Sequence, residues 1–325
     1  ARNAGIEIAK GEWILPLDAD DKIGVRYLEL AEKEFDNYNL IYCKAFLFGT
    51  VEAPLINSDF NYAQLLYKNP FFCSAIFKKI FWEQVKGYDS NFIYGYEDWD
   101  FFINVVYNIP DIKVIKLDYT GFYYRRKEES MNITVNADNE KKNYSKSLLI
   151  SKHLQHYSNS FDYIQQQFKE NEILHYKNKE WQKSIDCLNE LIEFYHDVKL
   201  VMGGDWSLDF QENLSIAYSK LANAQNNLGL TKDAIISCKC AMSEFRVLRK
   251  AIANMTHPNL DFILARNYYQ IGNSLHKTGL VNNAIVYYKL SIMLRTKLLA
   301  VQSNERRVLE RSNIAKIYTN IALAQ

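Results

Sequence analysis

Several absences narrow what this chain can be. No run approaches the roughly 18 consecutive apolar residues that a membrane span needs, and the start lacks a basic-then-apolar leader pattern. Charge of one sign is not in excess: 39 Lys and Arg stand against 38 Asp and Glu, a net of +1. That balance gives no electrostatic ground for nucleic acid or an anionic membrane as the main partner, so any anion site must be local. Cysteine is sparse and odd in number. The one close pair among Cys43, Cys73, Cys187, Cys238 and Cys240 is C-x-C, with neither a second pair nor a neighbouring His, which reads as reduced thiols in a cytoplasmic protein, at most peripheral to a membrane. The six His all lie between 153 and 276 and read as helix-surface or core residues. What the chain does have is apolar content, 48% over 325 residues, enough for one large or two ordinary domains with buried cores.

The texture changes near residue 136. Before it, short apolar clusters (WILPL, LIYCKAFLFG, FFCSAIF, IKVIKLDYTGFYY) are separated by Gly, Pro and Asn, with helical periodicity between them at Val25 to Phe35 and at Trp99 to Tyr107. Strands alternating with helices predict an α/β layer architecture over 1–136. In the first helix Tyr27, Leu28, Ala31 and Phe35 share one face. After about residue 140 Gly and Pro almost vanish, which predicts a helical linker over 137–165 and an all-α region over 166–325.

That region repeats. KEWQKSIDCLNELIEF, GLTKDAIISCKCAMSEF and GLVNNAIVYYKLSIMLR align with Ile185, Ile235 and Ile285 in register, 50 residues apart, and Leu221-Ala222, Ile271-Gly272 and Ile321-Ala322 keep the same spacing. Each unit reads as two helices, with Gly229 and Gly279 at the turn and small residues where helices approach. YSKLANAQNNLG and YYQIGNSLHKTG resemble the tetratricopeptide repeat family in the alanine and turn-glycine positions of its first helix. The resemblance implies a helical solenoid with units longer than the usual near 34 residues. The sequence stops at IALAQ, within the first helix of a fourth unit. Because a repeat array needs a polar cap, truncation at this end is expected.

The opening stretch, ARNAGIEIAKGEWILPLDADDKI, carries three carboxylates within four positions: Asp18, Asp20 and Asp21. In an extended segment Asp18 and Asp20 share a face, which puts two hard oxygen donors at a strand's carboxyl end, where open α/β sheets bind ligands. Paired carboxylates suit Mg²⁺ or Mn²⁺ that also holds phosphates. A calcium loop of the EF-hand kind fails, since Lys22 falls at position 5 and Ile23 where Gly is required.

Four motifs then occur in series: ARNAG-(x5)-GEWILPLDADD, NPFFCSAIFKKIFWEQVKGYD, GYEDWDFFINVV and FYYRRKEESM. Together they resemble the family-two inverting glycosyltransferases of the A-type fold, over residues 1 to about 130. The resemblance implies transfer of a sugar from a nucleotide-diphosphate donor to a hydroxyl on a glycan or protein, aided by Mn²⁺ or Mg²⁺. It implies Asp20 as direct metal ligand and Asp18 at the ribose or metal-bound water, with Asp21 supporting the turn. Arg2 and Asn3 match positions near the donor, and Arg125 and Arg126 suit diphosphate oxygens. The proton of the attacking hydroxyl needs a carboxylate: Asp98 or its neighbour Glu97, which diverge by about 100° on a helix so that only one faces the sugar. Tyr96 and Trp99 are candidates for stacking on an acceptor sugar. Lys127, Glu128 and Glu129 follow the Tyr-Arg pair in place of the His of many relatives, which removes the expected third metal ligand.

By the same resemblance the first strands, which hold the nucleotide base, lie upstream of Ala1. The chain then reads as a fragment that binds donor poorly, with a sheet edge exposed. A competing class is a repeat-based protein-binding scaffold with a degenerate transferase domain, the partner lying on the solenoid's concave face. Survival of the acidic residues in both motifs favours the enzyme.

Overall fold

The computed structural model describes residues 1–127, 138–202, 208–251, 258–299 and 304–324. The chain divides into two compact units, residues 1–164 and 165–325. Among the described residues no helix is long and apolar enough to cross a membrane. All five cysteines are free.

The first unit is α/β. Its elements are α1 (Arg2–Ile8), β1 (Trp13–Ile14), β2 (Lys22–Ile23), α2 (Tyr27–Glu32), β3 (Leu40–Gly49), β4 (Ala53–Leu55), α3 (Tyr62–Leu65), β5 (Ile76–Lys78), α4 (Lys79–Gln84), α5 (Glu97–Asn108), β6 (Val114–Arg126) and α6 (Asn139–Lys152). The strands form one mixed sheet in the order β1-β5-β3-β6-β2, with β4 beside β3. The long apolar runs LIYCKAFLFG and VIKLDYTGFYYRR become the central pair, β3 and β6, which run parallel; the other pairings are antiparallel. Their register slips around Lys44, a bulge that bends β6. WILPL yields only two strand residues, because Pro16 has no N–H to give a ladder. On α2, Tyr27 and Ala31 are buried with Ile41, Cys43, Ile76, Leu117 and Phe122 in one apolar core, whereas Leu28, expected on that face, is exposed.

Residues 138–164, expected to be a linker, pack as part of this unit: Leu149, Ile150, His153 and Tyr157 are buried, and the Tyr157 hydroxyl donates to the Leu66 carbonyl. The expected boundary near 136 lies outside the described residues.

The second unit is helical. Its helices are the latter part of α7 (Leu154–Lys177), then α8 (Trp181–Met202), α9 (Leu208–Leu228), α10 (Thr231–Ala251), α11 (Pro258–Lys277), α12 (Val281–Leu299) and α13 (Asn304–Ala324). α8, α10 and α12 begin 50 residues apart, and their buried positions keep that interval: Ser184, Ala234 and Ala284; Leu188, Cys238 and Tyr288; Val198, Leu248 and Leu298. The turns before them are alike too. Glu180 N–H donates to His175 O at 2.9 Å, Leu230 to Gln225 at 2.8 Å and Leu280 to Leu275 at 2.9 Å, a bond pattern that ends a helix on a left-handed residue. Gly229 and Gly279 take that conformation at φ 87° and 79°, and Lys179 takes it at φ 58°.

Candidate functional site

The site is assembled from three chain segments of the first unit. The first is the carboxylate turn after β1. Asp21 N–H donates to Asp18 O at 3.1 Å, so residues 18–21 close a turn instead of continuing an extended strand. The segment is therefore a turn and not the extended strand expected, although Asp18 and Asp20 still line one cavity. Aspartates favour such turns, and Pro16 has already ended the ladder. Asp18 receives Arg2 Nη2 at 3.0 Å on each oxygen. Asp20 pairs with Lys127 Nζ at 2.6 Å, which holds its carboxyl below the usual range. Asp21 turns inward and accepts the Arg125 N–H at 2.8 Å on Oδ1. Burial pushes its carboxyl up, and its Oδ2 is buried with no hydrogen-bond partner.

The second segment is the N-terminus of α5. Tyr96 caps it in the left-handed region, φ 72°, an uncommon conformation for a bulky residue. Successive side chains of the first turn then diverge by about 100°. Glu97 meets Arg2 Nη1 at 2.5 Å. Asp98 is part of a cavity wall and accepts the Trp99 N–H at 2.7 Å. Its carboxyl is pushed up to about 6, by burial first and then by the Glu97 charge, with Arg2 opposing. Asp100 points away into the core, fully buried, where Oδ2 takes Lys152 Nζ at 2.8 Å and Oδ1 meets His153 Nε2 at 2.8 Å. Lys152 also reaches Asp89 at 2.9 Å, so α6 ties the Gly-Tyr-Asp turn to the helix that carries Asp98.

The third segment is the end of β6. Arg125 Nε donates to the Asp20 carbonyl at 2.8 Å, and its guanidinium lies 4.5 Å from the Phe48 ring centre. Arg126 lies over Tyr124. Burial alone would pull the Arg2 guanidinium down, but Asp18, Cys73 and Glu97 together hold it above its ordinary value.

These segments wall a cavity of about 520 Å³. Of the residues singled out in the sequence, Arg2, Asp18, Asp20, Tyr96, Glu97, Asp98, Arg125 and Arg126 line it. Asn3 is used elsewhere. Its Oδ1 accepts from Trp82 Nε1 and Tyr88 N–H, both at 2.9 Å, and its Nδ2 donates to Tyr88 O at 2.8 Å, tying α1 to the turn after α4. Trp99 is outside the lining. Its indole N–H donates to the Leu65 carbonyl at 2.6 Å, and its ring meets Tyr96 edge to face. Glu128, Glu129 and Ser130, the end of the fourth motif, lie outside the described residues.

Of the other lining residues, two carry reactive groups, Lys127 and Cys73. Lys127 stood out in sequence only as a departure from the resembled motif. Cys73, in FFCSAIF, carries no sequence signal beyond being a thiol in an apolar run. Its Sγ lies 3.8 Å from Asp18 Oδ2.

No family model matches the chain, and no curated protein matches it. Among solved structures it is similar to residues 1–349 of TarS from S. aureus in complex with UDP-GlcNAc, at 13% identity and a TM-score of 0.40, covering 88% of this chain and 69% of that one. It is also similar to a second structure of S. aureus TarS, at 14% identity and a TM-score of 0.37, covering 75% of this chain and 40% of that one. At those values neither likeness carries weight for fold or function.

Proposed function

We propose that the first unit carries the active site of a glycosyltransferase, which moves a sugar from a nucleotide-diphosphate donor to a hydroxyl acceptor. The observation that carries this reading is that one cavity holds both a carboxyl raised to about 6, Asp98, and a group of cations, Arg125, Arg126 and Lys127, beside a carboxylate turn. A base is most effective when its pKa is near the working pH, and Asp98 meets that condition where an ordinary Asp would not. Asp98 takes the proton of the acceptor hydroxyl as it attacks. The Arg125 and Arg126 guanidiniums suit diphosphate oxygens, which they bind in pairs. Arg2, held by Asp18 and Glu97, orients both acidic segments at once. Tyr96 offers a ring on the cavity wall for the acceptor sugar. One displacement at the anomeric carbon inverts its configuration.

The carboxylate turn suits a divalent ion. Asp18 and Asp20 offer hard oxygens on the wall of the cavity. Mn²⁺ or Mg²⁺ held there by Asp18 and Asp20 would neutralise the negative charge of the departing diphosphate.

The second unit, read as tetratricopeptide-like repeats, would bind the acceptor or a protein partner. A cavity of about 230 Å³ within it, lined among others by Ile173, Tyr195, Ile216 and Lys220, supports that role. It also favours the second reading, a partner-binding scaffold whose transferase domain is inactive.

A panel of nucleotide-diphosphate sugars, offered to the full-length protein with Mn²⁺ or Mg²⁺, separates the two. Consumption of one donor, slowed at least about 10²-fold in Asp98→Asn, is the expected outcome. No consumption and no binding of nucleoside diphosphates would overturn the transferase and leave the scaffold.

A further inference from the structure

Three residues in the middle repeat of the second unit hold polar groups that nothing answers. Asn267 on α11 is fully buried, and neither its Oδ1 nor its Nδ2 has a hydrogen-bond partner. Ser219 on α9 is buried as well, and its Oγ has none. Arg266, partly exposed, makes no hydrogen bond or ion pair among the described residues. Buried polar groups are nearly always paired, so each of these calls for a partner.

The repeat places the three around one space. One unit earlier, Lys169 of α7, Leu188 and Leu191 of α8, and Ile216 and Ala217 of α9 line a cavity of about 230 Å³. Fifty residues on, those positions are Ser219, Cys238, Ala241, Arg266 and Asn267. Two Leu and a Lys give way to smaller side chains, while Ile and Ala give way to Arg and Asn, so an apolar wall becomes a polar one. Contacts keep the same correspondence. Gln270 Nε2 donates to Asn223 Oδ1 at 2.8 Å, where Lys220 and Ile173 border the first cavity, and the Arg266 charge is felt at the Cys238 thiol.

Charge does not balance there. Glu172 and Arg295 both act on Arg266, but Glu172 is taken by Lys220 at 2.5 Å and Arg295 by Glu310 at 2.7 Å. Burial pulls the Arg266 guanidinium below its ordinary value; Tyr176 and Glu172 oppose this, and Arg295 adds to it. One positive charge is left without an anion, a costly state away from water.

We infer that Ser219, Arg266 and Asn267 form a binding site for a small 2-hydroxycarboxylate, enclosed by α9, α10 and α11. The Arg266 guanidinium, Asn267 Nδ2 and Ser219 hydroxyl donate to the carboxylate oxygens. Asn267 Oδ1 is an acceptor only, so it takes the ligand's hydroxyl proton. A single negative charge cancels Arg266, which a doubly charged phosphate would exceed. Burial of Ser219 and Asn267 restricts the ligand to a few atoms, and the exposed part of Arg266 marks the entrance. The site lies one repeat beyond the apolar cavity and holds whether or not the first unit transfers a sugar.

Glycolate, the smallest such acid, is the probe, titrated calorimetrically into the purified chain. Saturable binding at one site is expected, with acetate, which lacks the hydroxyl, at least about 5-fold weaker. Arg266→Ile and Asn267→Ala restore the residues of the unit before, and should weaken glycolate binding at least about 10-fold and about 5-fold. Lys232→Gln, an exposed change in the same unit, should leave the affinity as it was. Circular dichroism confirms that each variant is folded, and Asn267→Ala carries the test if Arg266→Ile is not. No saturable binding of glycolate, equal affinity for acetate, affinity unchanged in either folded variant, or an equal loss in Lys232→Gln would each overturn the proposal. Failure of the transferase reading appears separately, as absence of nucleotide-sugar turnover in a chain that still binds glycolate.

Discussion

The two units solve the burial problem differently. The first collects ionisable groups around one place: buried Asp100 and His153 with the exposed Lys152 beside α5, buried Asp21 and Cys73 by the carboxylate turn, and Asp98 on the cavity wall. The second repeats one neutral arrangement every 50 residues, with small residues where helices approach and a left-handed residue at each turn. It has a buried ion pair too, Arg295 with Glu310 at 2.7 Å. Its neutral contacts include Asn226 to Gln270 and Gln270 to Asn223. Concentrated buried charge is costly and persists where chemistry or precise positioning needs it; a repeated neutral interface needs only size and spacing.

The sharpest way to break this comparison is to remove the charge beneath α5. Asp100→Asn keeps the shape but removes the buried carboxylate that Lys152 and His153 meet, leaving Lys152 only Asp89, and should destabilise the first unit by about 2–3 kcal/mol in chemical denaturation. A loss under about 1 kcal/mol would mean that the unit does not depend on its buried charge.

In the second unit the matching test is steric. A Cβ at Gly272 would lie 2.5 Å from Tyr288 Cε1, so Gly272→Ala should cost about 1–3 kcal/mol. One repeat earlier, the equivalent pair is Ala222 with Cys238, both fully buried in one cluster. Adding Tyr288→Cys to Gly272→Ala recreates that pair and should recover part of the loss. If it does not, the two repeats do not share one packing rule.

A smaller effect of opposite sign is expected at Lys179, the only one of the three turn residues that is not Gly. Lys179→Gly removes the Cβ clash of the left-handed conformation and should raise stability by about 1 kcal/mol, seen as a higher denaturation midpoint.

The subtlest test returns to the first unit. With Asp98 as base, kcat/KM should rise with pH through about 6, as the carboxyl loses its proton. Glu97→Gln removes the like charge beside it, so the Asp98 carboxyl falls and the acid limb moves to lower pH. An unmoved limb would assign it to another group.

Much of the site could be read before any fold was known, because its acidic and basic residues fall in short motifs. Asp18, Asp20, Glu97, Asp98, Arg125 and Arg126 each stand within two positions of a partner in the same motif, and the cavity gathers them. Asn3 and Trp99 lie outside the cavity lining for one reason: their polar atoms are used in contacts that sequence cannot show, with Trp82 and Tyr88 in one case and the Leu65 carbonyl in the other. The 138–164 segment reads as a helical linker because it has helical composition but falls before the 50-residue repeat. What it buries is decided by Asp89, Asp100 and Leu66, some 50 to 90 residues earlier.

By itself, the sequence determined the α/β-then-helical order, the 50-residue spacing and the carboxylate motifs, since each follows from local periodicity or from residues close along the chain. Only the tertiary structure decided which way the three carboxylates face, that Cys73 meets Asp18 and Asp21, and that Asp98 sits where its proton is held more tightly. Those outcomes depend on distance and desolvation between segments that the chain separates by 50 to 100 residues, and folding alone brings them together.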